Sequence, residues 1–286
     1  MAPYSATETH NNRVTADSWI AFTPHRRRVT AILEKLGSNS QSAQRRLCVV
    51  GAGNLNDVEL SQLQRIYAHI ELIDIDLAAL ERGLRRQMVA PDSPSITLRG
   101  VDVLGLSDGM SDDDVLDALA SGKAVAAISS SVGRYCDVVA GTALISQLAI
   151  AVKKLVLASL TRPGGVVAHV SDLARRSDAR GREIYSEAEI VESHMKTGAS
   201  GDFFAGTNPA MLLQVGLGGV LTDGSFWMDG GQPLFWVWCI TSTEQQHLDD
   251  GCLVAYALTW RVTRQPVDPR LLGETPMHSH NDRDEL

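Results

Sequence analysis

Val49-Val50-Gly51-Ala52-Gly53-Asn54-Leu55-Asn56-Asp57 runs out of an apolar strand, through a glycine turn and into a polar stretch. Leu47–Val50 is the short continuous apolar run of a buried strand. Gly51 and Gly53 let the backbone turn with positive φ and approach a ligand closely. Asn56, with Glu59 three residues on, is placed to cap a helix whose Leu60, Leu63 and Tyr67 share one face. N–H groups at that helix start would face whatever lies against the turn. The same pattern also serves as a plain structural turn, so its meaning depends on what surrounds it.

The surroundings alternate. Upstream, Thr23 is placed to cap a helix with Pro24 in its first position, and Val29, Ile32, Leu33 and Leu36 fall on one face. Downstream, His69–Ile73, Ser95–Val101, Cys136–Ala140 and Val166–Val170 read as further buried strands. Asp76 is placed to cap a helix with Leu77, Leu80, Leu84 and Met88 inward. Ser111 and Asp112–Asp114 open another, and a long helix over 143–160 ends at Arg162-Pro163-Gly164-Gly165. After Asp172 the pattern changes to helices near 186–196 and 209–215 between glycine-rich loops. Leu234–Thr241 and Leu253–Val262 are β-rich strands about ten residues apart, too close for a helical crossover, so they pair antiparallel. The predicted fold class is α/β: a doubly wound, seven-stranded, mostly parallel sheet with an antiparallel last strand, in three αβα layers. Residues 1–22 form an N-terminal segment available as a lid, polar and mobile over 1–17; 23–264 is the domain, with an insertion over 174–231, and 265–286 a flexible tail.

Asp74 ends the second strand about twenty residues after the glycines, where a carboxylate accepts both hydroxyls of a ribose. Asp76 sits where the next helix needs its cap and is read as structural. Asp102, just past the third strand, lies at the same sheet edge. A dinucleotide turn asks for a third glycine at position 56, where this chain has Asn56.

Composition narrows the class. With 286 residues and 44% apolar side chains the chain has enough to build a sizeable core. A net charge of −8 counts against a nucleic-acid partner, with Arg26-Arg27-Arg28 read as a solvated helix face. No apolar run is long enough for a membrane span, and residues 1–18 lack the apolar core of a secretory signal, so the expected location is cytoplasmic. The terminal Arg283-Asp284-Glu285-Leu286 is then a chance likeness to a retrieval tail. Cys48, Cys136, Cys239 and Cys252 form no C-x-x-C and are expected as buried, reduced thiols. No metal site is expected, the His278-x-His280 pair lacking further ligands.

Gly51-Ala52-Gly53-Asn54, Asp74, Asp102, Asp137-Val138-Val139-Ala140 and Leu160-Thr161-Arg162-Pro163-Gly164-Gly165 resemble, in order and spacing, the motif series of class I S-adenosylmethionine-dependent methyltransferases. The likeness covers about residues 45–175 and, more loosely, 232–264, where the antiparallel pair resembles that family's sixth and seventh strands. Two departures stand out. The acidic residue that often opens the first motif is absent from Leu47-Cys48-Val49, and Asn54 replaces the third glycine, a position where asparagine tolerates left-handed backbone.

The resemblance implies S-adenosylmethionine as cofactor, held by Gly51, Ala52, Gly53, Asn54, Asp74, Asp102, Ala140 and Gly141. It implies an acceptor near Gly141-Thr142, with Thr142 and Trp19 as substrate-binding candidates. Asp172 and His169, at the end of and within the fifth strand, are the candidates for a catalytic base. The N/D-P-P-Y segment of amide- and base-modifying members is replaced by Ala140-Gly141-Thr142-Ala143, so the expected acceptor is a small molecule. Tyr4, Trp19, Phe203, Phe204, Phe226 and Trp227 are read as lid or core, His194 as a lesser candidate, and Trp236 and Trp238 as packing. Two alternatives stand beside this reading: a non-catalytic binding protein on the same scaffold, and a nicotinamide-dependent oxidoreductase.

Overall fold

The computed structural model describes residues 4–38, 44–90, 92–103, 135–142, 156–175, 222–223, 234–240 and 251–262. They form helices α1 (Tyr4–Val14), α2 (Thr23–Ser38), α3 (Leu60–Leu63) and α4 (Leu77–Arg86). The strands are β1 (Arg46–Val50), β2 (His69–Asp74), β3 (Ile96–Gly100), β4 (Cys136–Thr142), β5 (Thr161–Arg175), β6 (Thr222–Asp223), β7 (Leu234–Ile240) and β8 (Gly251–Val262). Residues 156–160 are helical.

The strands build one mixed sheet in the order β3-β2-β1-β4-β5-β8-β6, with β7 also paired to β8. β1 to β5 are mutually parallel, and β8 is antiparallel to β5 and β7. This agrees with the expected orientation, a mostly parallel sheet with an antiparallel last strand. The count differs, because the two-residue β6 adds an eighth strand against Val262 and Arg261, inside the stretch read as an insertion. Winding reverses between β1 and β4, which opens a crevice at the carboxyl ends of those strands.

The sheet is buried on both faces. Leu47, Val49, Ile70, Leu72, Val138, Ala140, Ala168 and Val170 join one core cluster with Val29, Ile32 and Leu33 of α2 and Leu80 and Leu84 of α4. The alternate residues Cys48, Val50, Ile73, Val139 and Val167 are buried on the other side. This two-sided burial is why the parallel strands read as unbroken apolar runs rather than alternating ones.

Several local expectations are corrected. The polar segment read as mobile contains α1. Asn56 caps nothing, and the glycine turn does not open straight into a helix. α3 starts at Leu60, whose N–H donates to the Gln87 side-chain oxygen, while the Gln87 amide donates to the Leu55 and Val58 carbonyls. Asp76 does cap α4, accepting from the Ala79 N–H at 3.0 Å. Leu80 and Leu84 face inward as expected, but Leu77 and Met88 are exposed, Met88 because it lies beyond the helix end with φ +55°. The Pro163-Gly164-Gly165 turn is a looped-out bulge within β5, between the Cys136–Thr161 and Val138–Val166 pairs. Arg26 is buried rather than solvated: its guanidinium lies 3.4 Å above the Trp19 ring and pairs with Glu59 at 3.3 Å. Its neighbours Arg27 and Arg28 are exposed.

The reduced-thiol reading is also corrected. Cys48 and Cys136 are joined in a disulfide between β1 and β4, both residues fully buried. Glu71 lies beside it, equally buried, with its two oxygens on Arg46 at 3.1 Å and Arg99 at 2.8 Å. Although these two sulfurs and a Glu71 oxygen lie within 4.8 Å of one another, all three donors are already committed. No helix among the described residues is long and apolar enough to cross a membrane. The helix expected to open at Ser111 and Asp112–Asp114, residues 143–155 of the long helix, and the helices expected near 186–196 and 209–215, together with His194, Phe203, Phe204, Phe226, Trp227 and the tail, lie outside the described residues.

Candidate functional site

The glycine turn crosses from β1 to the carboxyl end of β2. The Gly51 and Ala52 N–H groups both donate to the Ile73 carbonyl, at 2.9 and 3.2 Å. Gly51 has φ +72° and Gly53 φ +45°, the left-handed region where a side chain is strained. Asn54 is not the residue that uses this region. Leu55 does, at φ +57°, with its side chain fully buried in the core to hold it there. A Cβ on Gly53 would lie 2.6 Å from the Asn12 side-chain oxygen, so the turn leaves no room for one.

Asp74 organises the turn. One carboxylate oxygen accepts the Gly53 N–H at 2.8 Å; the other accepts the Asp76 N–H at 2.9 Å and the Asn12 side-chain amide at 3.2 Å. Burial pushes its carboxyl above the ordinary aspartate range, and the three donors pull it partly back.

The polar residues of the turn hold the N-terminal segment as a roof. The Asn54 amide donates to the Asn12 carbonyl and the Thr15 hydroxyl, and the Asn56 amide donates to the Thr15 carbonyl. Arg82 donates to Asn54, and Arg86 donates to Asn56 and the Ala16 carbonyl. The Asn54 side chain, read from sequence as cofactor-binding, is thus spent on neighbouring protein groups.

Beneath this roof lies a cavity of about 160 Å³, lined by Gly51, Ala52, Gly53 and Asn54 and by Asp74 and Asp102. Those six of the expected cofactor residues meet in one place. Asn11, Asn12, Thr15 and Phe22 close it from the N-terminal side, and Asp57 stands at the far end of the turn. Three carboxylates therefore face the cavity, and no lysine or arginine lines it among the described residues.

The remaining candidates do not line it. Ala140 and Gly141 are buried in β4, and the Thr142 hydroxyl donates to the Gly51 carbonyl at 3.3 Å. Trp19 is half-buried beneath Arg26. His169 is fully buried, its Nε2 3.2 Å from the Tyr256 hydroxyl. Asp172 is half-buried on β5, opposite Ala255 of β8.

Sequence reasoning missed Asn12, Phe22, Asp57 and His25. His25 is buried; its Nε2 lies 3.3 Å from Asp57 Oδ1, and its Nδ1 accepts the Trp236 indole N–H at 3.2 Å. Asp57 was in view, a carboxylate four residues past Gly53. Nothing in the pattern of α1 or α2 announced that Asn12 or His25 would meet it.

No protein-family model matches the chain, and no curated protein matches it. Solved structures of similar fold include the N-methyltransferase NodS from Bradyrhizobium japonicum WM9: 14% identity, 85% of this chain and 98% of that one, TM-score 0.40. An rRNA methylase from Streptococcus thermophilus aligns at 9% identity over 82% of this chain and 95% of its own, TM-score 0.40. A DhpI–SAM–HEP complex aligns at 12% identity over 88% and 96%, TM-score 0.39.

Proposed function

We propose that the chain transfers a methyl group from S-adenosylmethionine to a small-molecule acceptor. The observation that carries this reading is the acidic cavity at the glycine turn, walled by Asp57, Asp74 and Asp102 without a lysine or arginine among its described lining. A ribose-bearing cation fits that donor set. The pyrophosphate of a nicotinamide dinucleotide would meet like charge there. When bound, the sulfonium supplies an electrophilic methyl group, attacked in line by the acceptor. Asp74 would hold the ribose hydroxyls, with Asp102 lining the same cavity, and the backbone of Gly51, Ala52 and Gly53 would lie against the ligand.

The acceptor's nucleophile approaches from the side of Gly141 and Thr142. Of the two candidate bases, Asp172 has access to solvent, whereas His169 is fully buried against Tyr256. Net charge of −8 and the missing N/D-P-P-Y segment support a small acceptor over a polyanion.

Calorimetry with S-adenosylmethionine, S-adenosylhomocysteine and NAD tests the cofactor. Binding of NAD tighter than either sulfur ligand overturns it. Labelled cofactor in a cell extract tests the acceptor: label in the small-molecule fraction supports the reading, and label confined to macromolecules overturns it. One observation favours a non-catalytic binder, namely that neither candidate base lines the cavity, His169 being fully buried against Tyr256 and Asp172 lying on β5 opposite Ala255. Tight cofactor binding with no label transferred to any fraction would favour that alternative.

A further inference from the structure

The hydrogen-bond chain Trp236–His25–Asp57 ends in a carboxylate at the cavity wall, and its geometry is one-directional. An indole nitrogen only donates, so His25 Nδ1 must accept from Trp236. The neutral ring then carries its proton on Nε2, which faces Asp57 Oδ1 at 3.3 Å. Phe22, itself lining the cavity, packs edge-on to the His25 ring at 6.1 Å. One Asp57 oxygen is therefore fixed, and the other carries no hydrogen bond among the described residues. The Arg26 guanidinium acts on Asp57 only through its charge at a distance: its ion pair is with Glu59, and it donates to the Trp19 and Asn56 carbonyls and the Thr23 hydroxyl.

From this we infer that Asp57 is the recognition carboxylate for the α-ammonium group of the methyl donor, with His25 and Trp236 as positioning residues. The inference rests on the proposed methyl-donor reading. Asp57 and Asp74 line the same cavity as Gly51, Ala52 and Gly53, so a ligand with its ribose on Asp74 has Asp57 in the same pocket for its amino-acid end. A carboxylate held through one oxygen presents the other to an ammonium at no further ordering cost, and charge-assisted hydrogen bonds are the stronger kind.

The test is calorimetry with S-adenosylhomocysteine, its deaminated analogue, and 5′-methylthioadenosine, which keeps the nucleoside and sulfur but lacks the amino-acid end. Wild-type protein should bind the deaminated analogue roughly tenfold or more weakly than S-adenosylhomocysteine. Asp57→Asn should lose a similar factor for S-adenosylhomocysteine and leave 5′-methylthioadenosine unchanged, which also shows that the variant is folded. Trp236→Phe should give a smaller loss with the same selectivity, where a merely structural role would weaken both ligands alike. Equal losses for both ligands in Asp57→Asn, or equal wild-type affinity for S-adenosylhomocysteine and its deaminated form, overturn the inference while the methyl-donor reading stands. Wild-type protein that binds neither nucleoside overturns both.

Discussion

Gly53 and Asp74, twenty-one residues apart in sequence, are joined by a 2.8 Å hydrogen bond from the glycine N–H to the aspartate carboxylate. The bond ties the turn after β1 to the end of β2 and fixes the geometry of the cavity between them. Asp76, two residues on, spends its side chain differently, capping α4 through the Ala79 N–H.

The two aspartates should therefore separate cleanly on mutation. Asp74→Ala removes a carboxylate from the cavity and frees the Gly53 N–H, and should weaken S-adenosylhomocysteine at least about tenfold. Asp76→Ala should cost about 1 kcal/mol of stability with little change in affinity, as loss of a helix cap does. Calorimetry and urea unfolding of the two variants check this. Interchanged effects would show that the second strand's register has been misjudged.

The buried Asp74 carboxyl sets a pH dependence. Its folded pKa is raised above the unfolded value by desolvation, with three hydrogen bonds opposing. The stability contribution of such a group is fully present below the unfolded pKa and falls as pH rises through the folded one. Ligand affinity should run the opposite way, because the ionised carboxylate is the better acceptor for ribose hydroxyls. Over the range from about pH 4 upward, apo stability relative to Asp74→Asn should decline while affinity climbs. Parallel unfolding and titration series in both proteins measure the two slopes, and matching slopes in wild type and variant would count against this assignment.

Gly53→Ala should harm the site twice. It places a side chain at φ +45°, costing roughly 1–2 kcal/mol, and pushes a Cβ to 2.6 Å from the Asn12 oxygen. Adding Asn12→Gly relieves the clash but not the backbone strain. The double variant should therefore regain part of the stability lost in Gly53→Ala, as a thermodynamic cycle of the four proteins would read out.

The Cys48–Cys136 disulfide predicts a linked peptide in a non-reducing digest of the native protein. Its sulfurs are fully buried, so reductant should act only once the fold opens. Replacing both cysteines by alanine should lower unfolding free energy by about 2–5 kcal/mol. Denaturation curves with and without reductant, compared with the double variant, test it, and free Cys48 and Cys136 thiols under non-reducing conditions would refute it.

β1, β2 and β4 were legible because each is a short, mostly apolar run closed by glycine or aspartate, and because burial on both faces removes ambiguity about alternation. Asp74, Asp76 and the glycines were legible for the same local reason: backbone chemistry assigns those residue types to those positions. What was not legible depends on contacts between distant segments. α1 is largely polar and is held by Asn54 at Asn12, while Thr15 and Ala16 just beyond it are held by Asn56 and Arg86. The start of α3 is set by Gln87, twenty-seven residues further along. Arg26 looked like one of three surface arginines until Trp19 and Glu59 enclosed it. The pairing of Cys48 with Cys136 requires β1 beside β4, which only the finished topology supplies.

Trp236 reaches back across 211 residues to His25. That span has a consequence for the order in which the molecule is made. α2 and the glycine turn leave the ribosome long before β7 does, and domains generally fold as units while the chain is still being synthesised. Until β7 arrives, His25 lacks the indole that sets its tautomer, and Asp57 lacks its fixed partner geometry. The cavity can close over its glycines early, but His25 and Asp57 come into alignment only after β7 has emerged. With Asp57 as the ammonium-binding carboxylate, a nascent chain still lacking β7 should hold the methyl donor less well than one in which β7 is in place.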